Sequence, residues 1–168
     1  MQKVTLLTNA NASVEGFTIV GEYANPHHDN HFYICYANEK YFVFQSLQKL
    51  KSMDVRGQVV IPYSAINWLV DAVENKFWTP PSQGGLPKNI HSVEIEFEHE
   101  LIVLQRSMNA GAEGEMGFSI GNKSRQSDVL SSSTQQFSIS DYLLKNAIFP
   151  DLKQYSGTNF PDHTTDIV

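Results

Sequence analysis

The chain has 168 residues, with 12 Lys and Arg against 18 Asp and Glu, a net charge of −6. A hydrophobic content of 41% can bury a core and excludes wholesale disorder, while the acidic balance argues against a protein that binds any polyanion through charge alone. No run of 18 apolar residues predicts a membrane span, and the single cysteine, Cys35, excludes an internal disulfide and indicates a reducing, cytoplasmic location.

The first half of the sequence is predicted to form strands followed by one helix. Runs of β-branched and aromatic residues between turn residues are typical of antiparallel strands. Such runs predict strands at residues 17–23, 31–37, 40–47 and 58–61, with a further one at 4–8. Apolar residues then recur at helical spacing from Ile66 to Phe77. Ser64 is the predicted N-cap, and Pro80 ends the helix because proline cannot continue the hydrogen-bond ladder.

The second half repeats this order. Residues 91–105 are predicted to form one long strand or a hairpin, followed by strands at 115–121 and 134–139. The polar stretch at 125–133 is predicted to be mobile. Ser140 is the predicted N-cap of a second helix, which Pro150 should kink or restart.

These patterns predict an α+β protein built from two units of the same order, each an antiparallel four-stranded sheet followed by a helix (ββββα). The two units are expected to form one compact domain. The boundaries are predicted at residues 1–78 for the first unit, 79–90 for a linker rich in Pro and Gly, 91–155 for the second unit and 156–168 for a disordered tail.

The segment at residues 59–73 carries a resemblance to a known superfamily. A short strand leads there directly into an amphipathic helix through a Pro/Ser turn, after the strand at 40–47 and the turn at Arg56. In their order of strands followed by one helix, residues 17–78 and, more loosely, 91–155 resemble PUR domains, Whirly proteins and coactivators of the positive-cofactor-four type. The resemblance implies that the two units pack by pseudo-twofold symmetry and bind single-stranded DNA or RNA on their sheet faces.

Alternation along two strands predicts which side chains of the first sheet face away from the helix. The predicted core face carries Phe32, Ile34, Phe42 and Phe44, which places two tyrosines together on the opposite face. Rings stack on bases while cations contact phosphates. The predicted nucleic-acid-binding residues are therefore Tyr33, Tyr41, Lys40, Lys49, Lys51 and Arg56. The alternative is that the tyrosines are cross-strand packing pairs on a second buried face.

An acidic strand lies in the second half. Its carboxylates are predicted to project from one face of one strand, at Glu94, Glu96, Glu98 and Glu100. They would repel a phosphate backbone. Residues 1–78 hold six basic and seven acidic residues, whereas residues 79–168 hold six and eleven, so nucleic acid is predicted on the first sheet. The alternative function is a protein interaction module that offers this acidic face to a basic partner or uses it to mimic a nucleic-acid backbone. A solvated strand face is the simpler interpretation.

A hydrolase is the third and weakest hypothesis. Residues 117–121 match G-x-S-x-G around Ser119, and His163 lies downstream, but the helix that a nucleophile elbow needs is not predicted after the serine. His27, His28 and His31 are too close in sequence for a typical zinc site. The prediction is a non-enzymatic protein with no cofactor or metal, and a homo-oligomer stays open.

Overall fold

The computed structural model describes residues 1–110, 114–130 and 132–157, and it contains two four-stranded antiparallel sheets, each followed by a helix. The strands of the first sheet, in spatial order, are β1 (Thr18–Ala24), β2 (His31–Ala37), β3 (Tyr41–Lys49) and β4 (Asp54–Pro62). Those of the second are β5 (Ser92–Phe97), β6 (Glu100–Ser107), β7 (Gly117–Gln126) and β8 (Thr134–Ser140). The α+β class and the repeated ββββα order are confirmed.

Each unit ends in a helix that changes its winding along its length. Helix α1 (residues 63–77) comprises a 3₁₀ turn Tyr63–Ala65, an α-helical part Ile66–Asp71 and a π-helical part Ala72–Phe77. Helix α2 (residues 141–157) comprises α-helical Asp141–Leu143, π-helical Leu144–Ile148 and α-helical Phe149–Gly157. The second winding change falls beside Pro150, which has no N–H to donate. Helix α2 runs two residues into the predicted tail, whose remainder lies outside the described residues.

One of the two predicted N-caps is confirmed. The Ser140 hydroxyl accepts a hydrogen bond from the Leu143 N–H at 3.3 Å. The prediction for Ser64 is wrong, because α1 begins at Tyr63, directly after Pro62. The Ser64 hydroxyl instead donates to Glu98 Oε2 at 2.8 Å.

Two predicted segments differ in the structure, and residues 91–105 adopt the hairpin, one of the two predicted alternatives. Residues 4–8 do not form a strand. Residues 91–105 form a hairpin, since Glu98 and His99 both have positive φ (51° and 70°), as a two-residue type I′ turn requires. The stretch at 125–133 was predicted to be mobile, but its first two residues belong to β7, which continues to Gln126.

The two units are interlocked, and each helix contacts a strand of the other unit. The Tyr23 hydroxyl on β1 donates to Asp151 Oδ2 on α2 at 2.7 Å, while the ring of Phe77 on α1 lies 5.4 Å from that of Phe118 on β7. The equivalent strands β4 and β8 also pack together. The Val60 N–H on β4 donates to Gln135 Oε1 at 2.8 Å. The two units therefore pack together through both helices and through the pair of strands β4 and β8.

The first sheet is buried on both faces. Its inner face joins both helices and the second sheet in the main core. Its outer face is covered by the N-terminal segment (residues 1–17), which buries Leu7 and Phe17 against it. The amides of Gln45 and Gln58 hold this segment, donating to the Leu7 carbonyl at 2.8 Å and the Thr5 carbonyl at 3.0 Å.

The prediction of which β2 and β3 side chains share a face of the first sheet is wrong. Cys35 pairs with Phe44, and cross-strand partners share a face. The inner face therefore carries Tyr33, Cys35, Phe42 and Phe44, and the outer face carries Phe32, Ile34, Tyr41 and Val43. Alternation along each strand is correct, but it leaves open which face of one strand meets which face of the next.

Candidate functional site

The two predicted stacking tyrosines lie on opposite faces of the first sheet, and both are buried. Tyr33 is 1% exposed and its ring centroid lies 5.7 Å from that of Phe137 in the main core. Tyr41 is 8% exposed, beneath the N-terminal segment, with the Arg125 guanidinium 5.0 Å from its ring centroid. Neither ring is open to a base. The alternative is correct in that both tyrosines are buried, but they do not form a cross-strand pair, because they lie on opposite faces of the sheet.

The predicted basic residues are also spread out. Lys40 precedes β3 and Lys49 ends it, so they lie about 30 Å apart along a nine-residue strand. Lys51 follows Lys49 in an exposed hairpin. The half-buried Arg56 donates from Nη1 to Gln45 Oε1 at 2.7 Å. Only Lys49 and Lys51 remain close together and exposed.

The acidic face holds two of its four predicted glutamates. Glu94 and Glu96 are exposed on β5, but the turn at Glu98 reverses the chain and places Glu100 on β6. There Glu100 is buried and accepts from Arg125 Nε at 2.6 Å. The prediction of four carboxylates on one strand face is therefore wrong. On an edge strand such as β5, exposed charges prevent pairing with other chains.

Neither the hydrolase nor the zinc hypothesis finds a preformed site among the residues that the structure describes. Ser119 lies inside β7, where its hydroxyl accepts from Gln136 Nε2 at 2.7 Å, and a nucleophile elbow would need a strand-to-helix turn. His163 lies outside the described residues. Burial raises the pKa of the Cys35 thiol, which stays protonated and unreactive at neutral pH. In the described ranges, no three His, Cys, Asp or Glu residues are grouped to hold a metal, and no helix is long and apolar enough to cross a membrane.

The segment predicted to be a linker is folded against α1 and forms one wall of a cavity. The Leu86 N–H donates to the Lys76 carbonyl at 2.8 Å, and the Thr79 hydroxyl donates to the Glu74 carbonyl at 2.7 Å. The opposite wall comes from β6 and the segment that leads into β7. We call this cavity of about 680 Å³ the linker groove.

The lining of the linker groove is apolar and basic. Its larger apolar side chains are Phe77, Trp78, Leu86, Ile90, Met108 and Met116. Its basic side chains are Lys76, Lys88, His91 and Arg106. No Asp or Glu is among its described lining residues, although the chain as a whole carries a net charge of −6. The volume is typical of ligand sites, and the lining suits an anion with a flat apolar part.

Polar contacts at the base of the groove fix one aromatic and one cationic side chain. Arg106 donates to both carboxylate oxygens of Asp141, at 2.8 and 2.9 Å, and its guanidinium lies 4.4 Å from the Phe118 ring centroid. Trp78 Nε1 donates to the same carboxylate at 3.1 Å. The lysines and His91 are exposed and have no such restraint in the described contacts.

Gly85 lets the linker approach α1 closely. A Cβ at this position would collide with the backbone carbonyl of Thr79. We therefore expect Gly85→Ala to displace the linker and disrupt the groove, seen as a change in tryptophan fluorescence and faster proteolysis at residues 79–90. Gly57→Ala is the matched control, because a Cβ there meets only Ser46 Oγ, at an ordinary 3.6 Å. Equal behaviour of the two variants would contradict this account of the linker.

Comparisons with protein families, with curated proteins and with solved structures give no match to this chain. The resemblance to PUR and Whirly proteins stays a prediction from the order of the elements.

Proposed function

We propose that the protein is a non-enzymatic module that binds single-stranded DNA or RNA without strong sequence preference, and that the linker groove is its binding site. The observation that supports this is the composition of the groove, where four basic side chains and Trp78 line one cavity and no carboxylate is among the described lining. The proposed site thus differs from the predicted one, whose tyrosines are buried.

The groove offers the two interactions that such binding needs. A base stacked on an aromatic side chain contributes about 1–3 kcal/mol. The exposed ammonium groups of Lys76 and Lys88 can contact phosphates, while Trp78 and the neighbouring apolar side chains contact a base. The bidentate pair with Asp141 partly neutralises Arg106, so the two lysines carry most of the attraction.

The size of the groove favours a single strand over a duplex. A cavity of about 680 Å³ can admit bases that are splayed out of a strand, whereas the bases of a duplex are paired and stacked. We also propose a cytoplasmic location, because the lone thiol of Cys35 is buried and unpaired with any other cysteine.

Titration of labelled oligonucleotides tests the proposal. We expect single strands to bind more tightly than duplexes and Trp78→Ala to weaken binding by about 5- to 150-fold, which corresponds to the loss of one stacked base. Lys76→Ala and Lys88→Ala should each reduce the slope of log K against log salt by about 0.7, the value for one phosphate contact on a single strand.

Lys123→Ala is the matched control for the lysine variants, since Lys123 is exposed on β7 and does not line the groove. Its salt slope should equal that of the unchanged protein. Absence of binding below about 10 μM at low salt would overturn the proposal, because electrostatic binding is strongest there.

The acidic interaction module remains the alternative, with a smaller surface than the sequence predicted. Of its four glutamates, Glu94 and Glu96 lie exposed on β5. The same titration with a lysine-rich peptide separates the two hypotheses. Binding of the peptide with no binding of oligonucleotides would favour the alternative.

A further inference from the structure

Two exposed methionines lie at the edge of the linker groove. The paired part of β6 and β7 ends with Ser107 opposite Gly117, and Met108 and Met116 are the next residue on each side. Met108 is 71% exposed and Met116 is 44% exposed, and both line the groove. Two thioethers therefore border the proposed binding site where solutes can reach them.

These methionines also lie close to the polar contacts at the base of the groove. Residues two apart along an extended chain share a face, so Met108 lies on the same side of the chain as Arg106. The Met116 carbonyl accepts a hydrogen bond from the Asp141 N–H at 2.9 Å. The Asp141 carboxylate in turn accepts from Arg106 and from Trp78. A chemical change in either methionine therefore alters the cavity in which the aromatic ring and the cation are held.

Oxidation would change these side chains from apolar to polar. The thioether sulfur attacks one oxygen of hydrogen peroxide, the O–O bond breaks, an S=O bond forms, and the peroxide is reduced to water. The product, methionine sulfoxide, is polar and chiral and disrupts apolar contacts. The unmodified thioether, in contrast, is polarizable and packs well against flat rings.

We infer that Met108 and Met116 form an oxidation site through which peroxide weakens binding in the linker groove. This inference rests on the proposed function and adds the regulation of that same site. Oxidation places a dipolar oxygen on the apolar lining that a base contacts, and the base loses packing there. The change is reversible, because methionine sulfoxide reductases return the thioether, releasing the oxygen as water while a dithiol is oxidised to a disulfide.

The other sulfur atoms of the chain give the controls for this inference. The remaining sulfur-containing residues are Met1, Met53 and Cys35. Burial raises the pKa of the Cys35 thiol, which removes the thiolate that peroxide attacks. Met53 is exposed between β3 and β4 and is not among the described residues that line the groove. It is therefore open to the same oxidant without belonging to the site.

The test compares the Kd for a labelled single strand before and after treatment with hydrogen peroxide, while mass spectrometry of peptides locates the added oxygen. In the unchanged protein we expect oxidation of Met108 and Met116 and a Kd that rises about tenfold. In Met108→Leu/Met116→Leu the Kd should be the same before and after treatment, because leucine cannot be oxidised in this way. Met53→Leu should respond like the unchanged protein, and a methionine sulfoxide reductase with a dithiol should restore its affinity.

The outcomes separate the inference from the proposed function. Oxidation of both methionines with no rise in Kd would overturn the inference and leave the linker groove as the binding site. The same holds if Met53 is oxidised while Met108 and Met116 are not, or if Met108→Leu/Met116→Leu loses affinity on treatment as the unchanged protein does. Absence of binding by the untreated protein would overturn both.

Discussion

Glu100→Ala is expected to lower the free energy of unfolding by about 3–5 kcal/mol, a large part of the stability of a typical domain. Glu100 and Arg125 form a buried ion pair, with Arg125 Nε and Nη2 donating to the two carboxylate oxygens at 2.6 and 3.1 Å. Asn122 Nδ2 donates to Glu100 Oε1 at 2.8 Å and to the Val60 carbonyl at 2.7 Å. The alanine variant leaves the Arg125 charge buried without its partner and removes one acceptor at the contact between the two sheets.

Urea denaturation measures this effect. Glu96→Ala is the matched control, since that glutamate is exposed on the neighbouring strand and its loss should change stability by no more than about 0.5 kcal/mol. The double variant Glu100→Leu/Arg125→Met should recover much of the lost stability, because apolar side chains of similar size can replace a buried ion pair. If Glu100→Ala were as stable as Glu96→Ala, the buried pair would not contribute to stability as expected.

Phe118→Ala should be similarly destabilising, by about 3–5 kcal/mol, because it leaves a cavity in the main core. The Phe118 side chain is fully buried, and its ring lies 5.4 Å from that of Phe77 and 6.1 Å from that of Trp78. The same ring supports the Arg106 guanidinium. Its removal therefore affects the core and the base of the linker groove together.

Thermal or urea denaturation, followed by oligonucleotide titration of the folded variant, measures both consequences. Tyr142→Ala is the control, because that aromatic side chain is 61% exposed and its removal should have little effect on stability. We expect Phe118→Ala to weaken binding as well, since Arg106 and Trp78 lose a packing partner. A variant of normal stability would contradict the packing described for this ring.

The local patterns of the sequence predict most of the fold. The runs of β-branched and aromatic residues predict seven segments that cover the eight observed strands, with residues 91–105 covering the β5–β6 hairpin. The change to helical spacing after Pro62 locates α1. Ser140 is predicted as an N-cap because a hydroxyl before a helix can accept from a free N–H, a local interaction. Such features depend on neighbours in sequence, so a single chain is enough to infer them.

The candidate site depends on contacts between distant residues, which the sequence does not show. The register that pairs Cys35 with Phe44 moves Tyr33 into the core, and the burial of Tyr41 depends on a segment more than 20 residues away in sequence. The linker groove combines residues 76–91 with Arg106 and Met116. In the sequence, this groove is indicated only by Trp78, Lys76 and Lys88 among prolines and glycines. That composition is equally typical of an ordinary linker.

The interlocking of the two units has a consequence for how the chain folds. During synthesis the first sheet emerges from the ribosome before α2 and the second sheet. In the folded protein Tyr23 hydrogen-bonds to Asp151, and the backbone of Val60 at the edge of β4 hydrogen-bonds to Gln135 and Asn122. The first unit therefore leaves the ribosome with an incomplete core and an unpaired strand edge, a state that is prone to aggregate. We therefore expect that neither half folds stably alone and that the native state forms only after most of the chain has been translated.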